Sequence, residues 1–179
     1  AEIRSMMTEL ADYHAAYPDS TAPFYLCTDM AHGYADRDSR VIHGNLELFE
    51  FAVPWTAEFH IKNTDERFDS TFGFTEAEAQ RGIVDLGEVR ELVVRNESSW
   101  PVDDLVGYLE ISGPKVGRDY SDHLLEGQLL GSLERIHQDF GALVRRPAGV
   151  PTAITPSSRT RGAFRRIRRP GQTRKPPIL

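Results

Sequence analysis

The sequence predicts an α/β fold of short parallel strands joined by helical crossovers. Three apolar stretches, residues 24–27, 57–61 and 105–111, alternate with helix-period segments in the order α-β-α-β-α-α-β-α. Alternation of this kind marks strands that run parallel. Each stretch also ends in groups able to bind a metal or move a proton: Asp29 and His32, His60, and Glu110. Parallel βα folds build their sites at the carboxyl ends of their strands.

The elements follow in order. Ile3, Met6, Met7, Leu10 and Tyr13 or His14 recur at helical spacing over residues 2–16, and Pro18 with Asp19-Ser20 ends that helix. Residues 24–27 are a short apolar run before polar residues, which reads as a buried strand. His43-Gly44-Asn45 opens a short helix through about residue 51, and Pro54 breaks it. After the strand at 57–61, a long loop runs from Lys62 to Thr75. Thr75-Glu76-Ala77-Glu78 is a capping signature that starts a short helix. Asp85 caps the next helix, with Leu86, Val89, Leu92 and Val93 facing the core. Residues 96–103 turn into the third strand. Gly113 to Gly117 form a loop, and Ser121 or Asp122 caps a last helix to about Phe140. Its apolar stripe is Leu125, Leu129, Leu133, Ile136 and Phe140.

The chain of 179 residues is long enough for one ordinary domain with a substantial core. Beyond residue 144 the character changes. Residues 145–179 hold 10 of the 21 basic residues and no acid, and their apolar periodicity is gone. They are expected to be a disordered Arg/Pro-rich tail. The rest then carries 11 basic against 27 acidic residues, a balance of −16. That is a poor surface for nucleic acid. No apolar run approaches membrane-spanning length, so no membrane role is expected. The amino end lacks the apolar core of a secretory leader. The single cysteine, Cys27, excludes an internal disulfide framework and a cysteine-rich zinc module, and it fits a cytoplasmic location.

Asp29, His60 and Glu110 together offer nitrogen and oxygen donors for a divalent cation. Taken singly, each has an ordinary reading. Asp29 suits a helix cap, His32 the surface, and His60 a hydrogen-bonded core position. Glu110 interrupts Tyr-Leu-Glu-Ile where a buried strand should be apolar, unless it lies on an edge strand in solvent. Such a cation, bound to adjacent sugar oxygens, polarises the carbonyl and acidifies the neighbouring C–H. A nearby carboxylate then moves the proton through a cation-stabilised enediolate, giving an epimer or an isomer. Lys62, Asn63, Asp65 and Arg67 follow His60 at the strand mouth. Lys115, Arg118 and Asp119 follow Glu110. Of these, Lys62, Arg67, Lys115 and Arg118 are the expected contacts to substrate, with His32. Phe68, Phe72 and Phe74 serve either as a lid or, more simply, as packing of the loop onto the body.

The stretches Cys27-Thr-Asp-Met-Ala-His32, Phe59-His-Ile-Lys-Asn-Thr-Asp65, Arg81-Gly-Ile-Val-Asp85 and Gly107-Tyr-Leu-Glu-Ile-Ser-Gly-Pro-Lys-Val-Gly-Arg-Asp-Tyr-Ser-Asp122 carry a resemblance. It is to the sugar-phosphate isomerase/epimerase group of the xylose-isomerase-like TIM-barrel superfamily, and it spans residues 1–142. The resemblance implies a (β/α)8 barrel that binds Mn, Mg or Co. Ketose epimerases of the group hold their metal with Glu, Asp, His and Glu. Asp29, His60 and Glu110 match the last three, and His32 matches a substrate-contacting histidine beside the metal. Glu110 matches one member of the acid/base pair. The first glutamate has no counterpart, and such a barrel needs about 250 residues. The expectation is therefore the carboxyl-terminal part of a barrel over residues 1–144: a partial (β/α)8 TIM barrel with three parallel strands and flanking helices, plus the basic tail. The expected partner is a small sugar or sugar phosphate. Alone, the chain is expected to be weakly active or inactive and to associate through its sheet edges.

Two rival readings stand beside this one. One is a metal-dependent phosphodiesterase like endonuclease IV, which calls for more ligands and a less acidic body. The other is binding of an anionic partner by Arg165, Arg166, Arg168, Arg169, Arg174 and Lys175 of the tail.

Overall fold

The computed structural model describes residues 2–111 and 123–143. The elements are α1 (Glu2–Ala16), β1 (Leu26–Asp29), β2 (Tyr34–Ala35), β3 (Val41–His43), α2 (Asn45–Ala52), a 3-10 turn (Val53–Trp55), β4 (Thr56–Ile61), α3 (Glu76–Ala79), α4 (Leu86–Arg95), a second 3-10 turn (Glu97–Ser99), β5 (Val106–Leu109) and α5 (His123–Phe140). Three strands form an all-parallel sheet in the order β1-β4-β5, and β2 and β3 form a separate antiparallel pair. The parallel sheet is open. Among the described residues no barrel closes, and β1 and β5 are edge strands. No helix is long and apolar enough to cross a membrane among them.

The register sorts the sheet into two faces. Cys27 pairs with Glu58 and Asp29 with His60, and His60 pairs in turn with Tyr108. These residues share one face, because paired residues in a parallel ladder point the same way and alternate along each strand. Phe59 and Ile61 occupy the other face and are buried in the core with Phe49, Val53, Val89, Leu92, Trp100, Leu105, Ile136 and Phe140. The Phe49 ring lies 5.4 Å from Phe59 and 6.2 Å from Trp100, centroid to centroid. Each fully buried side chain of this size contributes about 1.5–3 kcal/mol. Gly107 permits the close fit of β5 on β4. A Cβ there would stand 2.7 Å from Ile61 Cδ1 and 3.0 Å from Phe59 Cζ.

Local chemistry sets the helix starts. Asp85 Oδ1 accepts from the N–H groups of Gly87 (2.7 Å) and Glu88 (3.1 Å), as a cap at the head of α4 should. Leu86, Val89, Leu92 and Val93 are its buried residues. At α3 the Glu78 carboxylate reaches back to the Thr75 N–H at 3.1 Å. On α5 the stripe is buried at Ile136 and Phe140 and half-buried at Leu125, Leu129 and Leu133.

The structure departs from the sequence reading in three places. The first strand lies later than residues 24–27, because its ladder with β4 begins at Leu26 opposite Thr56. Phe24 and Tyr25 stay exposed. His43 belongs to β3 rather than to a helix start. Asp36 Oδ1 accepts from the N–H groups of Asp38 and Arg40, both at 2.9 Å, and turns the chain between β2 and β3. Finally, α1 has the expected period but buries only Met7, while Ile3, Met6 and Leu10 are exposed. The caps expected at Ser121 or Asp122, the loop from Gly113 to Gly117 and the tail at 145–179 lie outside the described residues.

The loop after β4 is tied down from both sides. Asn63 and Phe72 exchange backbone hydrogen bonds of 2.8 and 3.1 Å. The Asn63 side chain is buried, and its Oδ1 accepts from Thr64 N (2.9 Å) and Val84 N (3.0 Å). Phe74 N donates to the buried Ser132 Oγ of α5 at 2.8 Å. Phe72 and Phe74 are core residues and pack the loop onto the body, whereas Phe68 is only half-buried.

Candidate metal centre

Asp29 is the last residue of β1, and the backbone divides the work of its two oxygens. Oδ1 accepts from Ala31 N at 2.8 Å and turns the chain out of the strand. Met30 and Ala31, buried just beyond, anchor that turn. Oδ2 is left facing β4. It lies 2.6 Å from Lys62 Nζ, 3.3 Å from His32 Nε2 and 3.8 Å from His60 Nδ1. His60 and Lys62 leave the same face of the chain, two residues apart. The ladder continues past β5, where Glu110 N donates to Ile61 O at 3.0 Å. That bond brings Glu110 Oε2 to 2.8 Å from His60 Nδ1 and 3.5 Å from Lys62 Nζ.

One donor atom from each of Asp29, His60 and Glu110 fits within a mutual 4.8 Å, and this is the one such group among the described residues. Its members differ in access. The Asp29 side chain is only 10% exposed, whereas His60 and Glu110 are each 41% exposed. The cluster is therefore a shallow site, rooted on the Asp29 side and open over His60 and Glu110. Glu110 combines the two readings weighed for it: it follows an edge strand and is half-exposed, yet it is ion-paired. One imidazole nitrogen and two carboxylates make a donor set that several divalent ions accept, and the spacing is compatible with a single ion.

Lys62 is where the structure adds most. It was expected to contact substrate oxygens, but its side chain is only 6% exposed and its ammonium sits among the cluster's acceptors. It also lies 3.5 Å from His32 Nε2. Strand alternation carries this signal, since a residue two positions past His60 returns to the same face. His32 itself is 65% exposed at the rim. Arg67 is placed elsewhere. Its guanidinium donates to Ser39 Oγ at 2.9 Å and its N–H to Asp65 Oδ1 at 3.0 Å, so its bonds stay within the loops. Asn63 and Asp65 serve the loop's own structure. Lys115, Arg118 and Asp119 lie outside the described residues.

The field of this face is negative. Loss of hydration among its neighbours pushes the Cys27 thiol up, and the Glu58, Asp29 and Glu110 carboxylates push it further. A cation is thus favoured over an anion at this strand end. No protein-family model matches the chain, and a search of curated proteins returns no match.

Proposed function

We propose that Asp29, His60 and Glu110 hold one divalent cation and that the chain carries the chemistry of a sugar or sugar-phosphate isomerase/epimerase. The observation that carries this reading is the convergence of the three donors at the carboxyl ends of adjacent parallel strands. The motif resemblance read from the sequence names the same residues. When bound, the cation supplies positive charge to offset the negative charge that develops on sugar oxygens.

The chain's own residues have separable parts in this reading. Asp29 is the rooted ligand, fixed by Ala31 N. Glu110 is exposed enough to meet a substrate C–H, and its Oε2 lies 2.8 Å from His60 Nδ1. Glu110 is therefore the proton carrier. His32, exposed at the rim beside Asp29, meets a substrate hydroxyl. The sheet is read as part of a (β/α)8 barrel. Supporting this, helices cover the Phe59 face while Cys27, Glu58 and Tyr108 on the site face are exposed, as positions turned toward a barrel interior are without the remaining strands.

The test is solvent deuterium wash-in. Ketoses and ketose phosphates are incubated with the full chain and Mn2+ in D2O, and exchange at the carbons flanking the carbonyl is read by proton NMR. The expected result is slow, metal-dependent exchange that Glu110→Gln removes. Exchange no faster than that of the Glu110→Gln protein, across the whole panel, would sink the proposal.

A further inference from the structure

The cluster already contains a cation, and it belongs to the protein. Lys62 Nζ touches Asp29 Oδ2 at 2.6 Å and Glu110 Oε2 at 3.5 Å. His60 Nδ1 lies against those same two oxygens, at 3.8 and 2.8 Å. The oxygens within reach of both His60 and an ion are thus also the ones the ammonium engages. With a side chain 6% exposed, Lys62 is packed into this position rather than swinging in solvent.

We propose that Lys62 is an internal competitor for the cation site, a positioning residue that holds Asp29 and Glu110 together without metal and gives up Glu110 when a divalent ion binds. This deepens the proposed function and rests on the cation site being real. The consequence follows from charge. Two carboxylates and one ammonium leave the site with a net charge of −1 when the imidazoles are neutral, enough for one divalent ion and unfavourable for a second. An ion and an ammonium sharing one carboxylate oxygen stand within about 5 Å of each other, and their repulsion weakens ion binding about tenfold or more even at the dielectric of water. Lys62 therefore sets the affinity low and the stoichiometry at one.

Two measurements on the full chain test this. In the first, free Mn2+ is followed by electron paramagnetic resonance during titration of wild type, Lys62→Met and Lys62→Arg at one fixed pH. Lys62→Met should bind Mn2+ about tenfold tighter or more, and Lys62→Arg should stay near wild type. In the second, wild type is labelled with an amine-acetylating reagent with and without saturating Mn2+. Peptide mass spectrometry then reads each of the three lysines, Lys62, Lys115 and Lys175, separately. Acetylation of Lys62 should rise when Mn2+ binds, and should not rise in Asp29→Asn.

A folded Lys62→Met that binds Mn2+ no tighter than wild type overturns the competitor role while leaving the cation site standing. So does unchanged acetylation of Lys62 at saturating Mn2+. If Lys62→Met does not fold, the acetylation result on wild type decides alone. Absence of Mn2+ binding in both wild type and folded Lys62→Met refutes the cation site itself, and the competitor role falls with it.

Discussion

Replacing Asn63 with Ala tests how the fold supports the cluster. Asn63 directly follows Lys62 and is 1% exposed. Its Oδ1 accepts two backbone N–H groups, from Thr64 at 2.9 Å and Val84 at 3.0 Å. Thr64 and Val84 are themselves buried. Alanine removes the acceptor and leaves both donors without that partner. Each orphaned buried donor costs about 1–3 kcal/mol, so the pair costs about 2–6 kcal/mol, reduced where water enters the space. Using about 2–4 °C per kcal/mol for a chain of this size, the melting temperature falls by about 4–24 °C. Urea unfolding followed by far-ultraviolet circular dichroism measures this directly. Glu66→Ala, at an exposed position of the same loop, serves as the control and should change stability by less than about 0.5 kcal/mol. An Asn63→Ala protein within about 0.5 kcal/mol of wild type would show that the side chain does not satisfy those amides.

Further outcomes follow from the same structure. The Ser70 hydroxyl donates to Asp65, and with the N–H groups of Arg67 and Asp69 it holds that carboxyl below the usual carboxylate range. A lowered folded value means that the stabilisation is full above the unfolded pKa, about 3.9, and is lost as pH falls through the folded value. Asp65→Asn should therefore be less stable than wild type at pH 7, with the gap narrowing in acid; a gap that is constant with pH would contradict this. Gly107→Ala drives a Cβ to 2.7 Å from Ile61 Cδ1, and should cost about 1–3 kcal/mol by the same urea assay. A neutral Gly107→Ala would mean that the Ile61 side chain gives way to the added methyl at no net cost.

Much of the site was legible because strand ends and side-chain alternation are local rules. Asp29, His60 and Glu110 could be picked out as polar groups at the ends of apolar stretches, and the parallel ladder brings them together. The caps at Thr75 and Asp85 were equally readable, since a cap is decided within one turn of chain. What escaped depends on partners distant in sequence. Ser132 looks like a helix-interior serine until Phe74 N is found beside it. Asn63 follows a strand bearing a histidine and a lysine, which invites a substrate role, yet its contact with Val84 makes it part of the framework. Lys62 follows His60 at the strand mouth, which reads as a substrate contact. Its burial becomes favourable only when two carboxylates face it, and that is a fact of register rather than of sequence. The β2–β3 turn was missed for a different reason: the Asp36 signal lay in the sequence, but the strands it joins are only two and three residues long.

Three side chains from different strand ends are proposed to act as one cation site. Isothermal titration of the full chain with Mn2+, alongside Asp29→Asn, His60→Gln and Glu110→Gln, tests it most directly. One ion per chain is expected in wild type, with at least about tenfold weaker binding in every variant. Wild type that takes up no Mn2+, or variants that bind as tightly as wild type, would contradict it.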